Sequence, residues 1–160
     1  MRTITLQTGI QAPVERVFDL ARSIDAHTES AGATGEKAVA GRMSGLIELH
    51  DRVTWEARHF GISQRLTVEV TRLERPTVFE DEMVQGAFAT MHHRHFFEST
   101  RDGNTRMTDA FSFSAPYGWI GRLVEALFLE KYMRRFLIRR NRILKELAES
   151  ERWREFLGEG

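Results

Sequence analysis

The sequence predicts an α+β domain in which one face of an antiparallel sheet is covered by helix. Three observations predict it. Residues 3 to 11 alternate apolar and polar, the text from Glu36 to Ala115 is strand-like and broken by turn chemistry, and after Pro116 the apolar period becomes 3.6. The 160 residues, 41% apolar, suit one domain over 1–160 with its own core. Twenty-three Lys and Arg offset 23 Asp and Glu, which leaves no global field to hold nucleic acid. No cysteine is present, so disulfides, thiolate nucleophiles and thiolate metal sites are excluded. The first residues lack an apolar signal core and no run of about 18 apolar residues occurs, so neither a leader nor a transmembrane segment is expected, and the predicted location is cytoplasmic.

Taken in order, Ile4, Leu6 and either Gly9 or Ile10 against Thr3, Thr5, Gln7 and Thr8 have the period of a half-buried strand. Pro13 suits a helix start because its missing N–H is not needed there, and Val14, Val17, Phe18 and Ala21 follow at helical spacing. Residues 23–35 read as a second short helix or a loop. Five or six antiparallel strands follow, separated at Gly41–Gly45, Gly61, Glu74–Pro76, Gly86 and Asp102–Asn104. The last of these is a hairpin connection, since Gly103 accepts positive φ without steric cost. From Trp119 through Ile120, Leu123, Val124, Leu127, Phe128, Tyr132, Met133, Phe136, Leu137, Ile143 and Leu144 to Leu147 runs one apolar stripe, predicting a long helix over 117–149.

His50 to Gly61, Glu74-Arg-Pro76, Phe79 to Gly86, His93-Arg-His95, Thr105 to Asp109 and Pro116-Tyr-Gly118 resemble, in order and spacing, the START-like (SRPBCC) superfamily. Within it the chain is similar to the bacterial ligand-binding branch near the polyketide cyclases and dehydrases. The resemblance covers nearly the whole chain. It implies a helix-grip fold: a seven-stranded curved antiparallel sheet wrapped round the long C-terminal helix, two short helices after strand 1, and an internal cavity for an apolar or amphipathic small molecule. Members carry lipids, sterols, quinones or polyketides, regulate proteins, or catalyse cyclisation, so the fold alone assigns no reaction.

Strand alternation proposes which side chains face that cavity. From 46 to 60 the inward set is Ile47, Leu49, Asp51, Val53, Trp55, Ala57 and His59; from 77 to 85 it is Phe79, Asp81 and Met83; from 91 to 99 it is Met91, His93, His95 and Phe97; from 105 to 115 it is Met107, Asp109, Phe111 and Phe113. Trp55, Phe79, Met83, Phe97, Phe111, Phe113 and, from the helix, Leu127 are the candidate ligand contacts. Asp81, His93, His95 and Asp109 are the candidate polar end. Imidazole and carboxylate inside an apolar space must satisfy each other, a water or a ligand, and the 102–104 hairpin makes their strands neighbours.

His93 and His95 at i and i+2 also have a spacing that a zinc ion tolerates, but a satisfied buried network is the simpler reading and no metal is assigned. Nor does any phosphate loop, nucleophile motif or cofactor signature occur, so no cofactor is expected. Either histidine, oriented by Asp109, has the makings of a general acid or base, which keeps a cyclase or dehydrase alternative open. Arg134, Arg135, Arg139, Arg140 and Arg142 read as a solvated helix face, with transient contact to an anionic membrane or an acidic partner as the sharper alternative. The sequence therefore predicts a binding protein for a small hydrophobic ligand, ahead of an enzyme and of an interaction module with a vestigial cavity.

Overall fold

Alternating apolar side chains build a meander whose two ends meet the first strand and a free edge. The computed structural model describes residues 1–116, 118, 120 and 128–158. Its strands are β1 (Arg2–Ile10), β2 (Lys37–Gly41), β3 (Arg52–His59), β4 (Ile62–Glu74), β5 (Val78–Gln85), β6 (Thr90–Ser99) and β7 (Thr105–Ser114). They form one seven-stranded antiparallel sheet in the order β1-β7-β6-β5-β4-β3-β2. Helices α1 (Val14–Ala21) and α2 (Ile24–Ser30) follow β1, and α3 (Glu130–Glu149) and the short α4 (Trp153–Leu157) close the chain.

Pro13 is the N-cap of α1, extended at ψ 146°. Ser23 caps α2 by accepting from the Ala26 amide at 3.3 Å, which satisfies one of the orphan donors of a helix start. The stretch between a helix and a loop thus resolves as a helix, followed by a single 3-10 turn at Gly32–Thr34. The Asp102–Asn104 connection joins β6 and β7 as expected, with Gly103 at φ +73°.

Two expectations change. Strand character does not begin at residue 46: β3 starts at Arg52, because His50 takes φ +68° and the chain from 42 to 51 is a loop. The predicted apolar stripe also has exposed positions among the described residues, Ile120 and Phe128, and Phe128 and Leu129 form a wider π-type turn before α3. Trp119, Leu123, Val124 and Leu127 lie outside the described residues.

Two apolar clusters divide the interior. One, with Phe18, Phe79, Phe97, Met107, Leu144 and Leu147, welds α1 and the end of α3 to the sheet. Phe18 stands edge-on to both Phe79 and Phe97, at 5.7 and 5.2 Å between centroids, a favoured aromatic geometry. The other contains Val53, Trp55, Phe111, Phe113, Met133 and Leu137 and surrounds an open space.

Candidate functional site

That space is a cavity of about 380 Å³ between the concave face of the sheet and the first half of α3. Strands β3 to β7 contribute largely alternate residues: Val53, Trp55 and Ala57 from β3, Leu66, Val68 and Val70 from β4, Phe79 and Asp81 from β5, Met91, His93 and His95 from β6, and Phe111 from β7. Helix α3 contributes Met133, Phe136, Leu137 and Arg140, one face at spacings of three and four. Phe60 and Tyr132 stand together at the wall, 4.6 Å between ring centroids.

At the boundary between cavity and filled core lies a polar network. His95 and Asp109 face each other across the β6–β7 ladder. His95 Nδ1 is 2.7 Å from Asp109 Oδ1, off the axis of a well-aligned hydrogen bond, and His93 Nε2 lies 3.2 Å from the same oxygen. Asn141 of α3 donates to Asp109 Oδ2 at 2.5 Å and to Thr8 Oγ1 at 3.4 Å. On the other side, His95 Nε2 is 3.7 Å from Asp81 Oδ2, too far for a direct bond but close enough for charge to matter. Phe79 stacks on His95 at 4.1 Å and Phe111 stands edge-on to His93 at 5.1 Å, fixing both rings.

Burial alone would push Asp109 toward its neutral form. The two imidazoles override it and hold the carboxyl well below the usual carboxylate range. The histidines separate. Burial and the charge of His95 push His93 down to about 4 despite its bond to Asp109. Burial also opposes charge on His95, but Asp109 and Asp81 outweigh it and the pKa rises. The two imidazoles are thus pushed apart, His93 toward its neutral form and His95, between two carboxylates, toward its protonated form, as expected of an acid–base pair.

A second polar group lines the cavity. Glu36, buried, pairs with His27 Nε2 at 2.9 Å, and His27 stacks on Trp55 at 4.2 Å. Burial would raise Glu36, yet the charge and hydrogen bond of His27 and the charge of Arg140 lower it. His59 Nδ1 meets the Tyr132 hydroxyl at 2.6 Å; burial lowers the histidine and raises the tyrosine.

Of the candidate contacts, Trp55, Phe79, Asp81, His93, His95 and Phe111 line the cavity. Asp109 sits behind the imidazoles, fully enclosed. Phe97 belongs to the filled cluster beneath α1, and Met83 and Phe113 pack in the cluster around the cavity without lining it. Leu127 lies outside the described residues. Asp51 is not inside: it sits in the loop before β3, where it accepts from the Glu48 amide at 2.8 Å and pairs with Arg42. Leu49 is likewise exposed, although Ile47 of that loop does reach the cavity.

Arg140 also departs from expectation. Assigned to a solvated face, it is 6% exposed and lines the cavity. The stripe held the signal: Leu137 and Leu144 leave a gap of one turn, and positions 140 and 141 fall in it. Glu36 and His27 carried no such pattern. Asp81, His93 and His95 bring ligand atoms within 4.8 Å of one another, so this set has the donors for a cation, though the Arg140 guanidinium already brings positive charge beside it.

A curved sheet, a gripping helix and an apolar cavity with a polar floor define a helix-grip ligand-binding fold. The profile of the family "Polyketide cyclase / dehydrase and lipid transport" matches residues 1–149, and the chain belongs to that family. Among solved structures, TTHA0849 from Thermus thermophilus superposes with TM-score 0.74 at 18% identity, over 92% of this chain and 97% of that one. Major latex-like protein 151 from Panax ginseng gives TM-score 0.67 at 14% identity, covering 93% and 98%. A START superfamily protein from Mycobacterium smegmatis gives 0.67 at 13%, covering 92% and 97%. At these identities the likeness is one of fold. No curated protein matches significantly. Among the described residues, no helix is long and apolar enough to cross a membrane.

Proposed function

We propose that the protein binds a small apolar or amphipathic molecule, of lipid, quinone or polyketide type, in the cavity between sheet and α3. The cavity itself carries the reading. Its volume of about 380 Å³ lies in the usual range for small-molecule sites, and its apolar walls end on a few convergent polar groups. The ligand's body would lie against Trp55, Leu66, Met91, Phe111 and Met133, its polar end toward His93, His95 and Asp81. The family description, which includes lipid transport, agrees.

The test is native mass spectrometry of protein purified from the cells that express it. A discrete copurifying mass is expected, and Ala57→Phe, which fills the space with an apolar ring, should remove it. Consistently empty protein that takes up no apolar dye would overturn the reading. A second reading, a cyclase or dehydrase, is favoured by one observation: two histidines that line the cavity share the Asp109 carboxylate behind them, His95 raised and His93 lowered. It requires Asp109→Asn to abolish turnover of a candidate substrate while binding persists; an unchanged rate would dispose of it.

A further inference from the structure

Arg140 is a buried cation of the cavity wall whose hydrogen-bond donors the network above does not use, whereas Arg22, also buried at the wall, bonds Asp19, Glu48 and the Ile47 carbonyl. It occupies the sheet-facing stripe of α3, one turn beyond Leu137, and lines the cavity. Its guanidinium carries five N–H donors. None makes a hydrogen bond to a described residue, and its ion-pair contact is Asp109 Oδ1 at 3.8 Å. Without an acceptor among the described residues, these donors are left to whatever occupies the cavity.

The surrounding acids have other partners. Asp109 takes His93 and Asn141 and faces His95; Glu36 takes His27; Asp81 faces His95. His27 does most to lower Glu36, and His95 and His93 most to lower Asp81, the Arg140 charge adding a smaller share to each, and none of the three acids accepts from its fork.

We propose that the cavity ligand ends in a carboxylate and that Arg140 receives it. This rests on the binding reading given above and specifies its ligand class. A planar guanidinium matches a carboxylate with two parallel N–H···O bonds, and in a water-poor site such pairing is stronger than neutral hydrogen bonding. Met133, Phe136 and Leu137 extend from Arg140 along the cavity side of α3, so a head group held there has an apolar wall for its tail. The nearby acids do not bar it. Asp109 is fully enclosed behind two imidazoles, and Asp81 faces His95, so both acids have imidazole partners apart from Arg140.

The experiment titrates decanoate, decanol and methyl decanoate, below their aggregation concentrations and at neutral pH, into the wild type, Arg140→Met and Arg140→Lys. Wild type should bind decanoate roughly tenfold tighter than either neutral analogue. Arg140→Met should erase that preference while holding decanol within about threefold of wild type, which also shows that the pocket has folded. Arg140→Lys, with charge but no fork, should keep part of the preference. Equal wild-type affinity for decanoate and decanol, or a preference that survives in Arg140→Met, overturns the proposal and leaves apolar binding standing. If none of the three binds wild type, the carboxylate proposal falls, and uptake of an apolar dye decides whether the binding reading falls with it.

Discussion

Asp109 sets the charge balance of the interior, since His93, His95, Asn141 and Arg140 all converge on it. Removing its charge leaves buried Arg140, and His95 whose proton Asp109 favours, without the carboxylate they face. Asp109→Asn should therefore destabilise the protein by about 3–5 kcal/mol in urea denaturation at neutral pH, and a loss under about 1 kcal/mol would contradict this account. The histidines add a pH dependence. His93 is lowered to about 4, so between pH 4 and its ordinary 6.5 the unfolded chain holds a proton that the folded one lacks. Stability should rise with pH across that window, by on the order of 1 kcal/mol per unit. His95 is raised, so its contribution is complete below 6.5 and is lost as pH climbs through the folded value. A maximum near pH 6.5 follows, measurable as melting temperature against pH, and His93→Gln should flatten only the acid limb.

Among the elements, the hairpins separate two kinds of glycine. Gly41, at the end of β2, has φ +75°, and a Cβ there would lie 2.1 Å from the Arg52 carbonyl oxygen. Gly103 has φ +73° with nothing within 4 Å. Gly103→Ala should cost only its backbone strain, about 1 kcal/mol, whereas Gly41→Ala must also push β2 from β3 and should cost at least about 2 kcal/mol more. Equal melting temperatures would refute the close approach. Strand registers were legible because a period of two leaves little choice once one face is apolar: Met91, His93, His95 and Phe97 are all buried as read. The reading failed where periodicity was extended through a break in backbone conformation, at His50, or where a charged residue occupied an apolar stripe, at Arg140.

At the scale of the molecule, α3 performs two tasks along its length. Its later turns, with Leu144, Leu147 and Ala148, close the filled cluster under α1, while Met133 and Leu137 border open space. A bound ligand completes that second cluster and so couples to global stability. At a hundredfold excess over its Kd, the true ligand should stabilise the fold by about 2.7 kcal/mol, read as a rise in melting temperature that Ala57→Phe abolishes. A ligand that binds without raising it would sit elsewhere on the protein.

Local pattern by itself determined the α+β class, the strand alternation and the neighbouring of His93, His95 and Asp109, because side-chain period and turn chemistry act over a few residues. The resemblance supplied the helix-grip arrangement and the expectation of a cavity. Tertiary structure alone decided that Asp109 withdraws behind the imidazoles, that Glu36 meets His27, and that Arg140 turns inward. Those outcomes depend on the distance and tilt between a curved sheet and a helix far along the chain, and no spacing within either element encodes them.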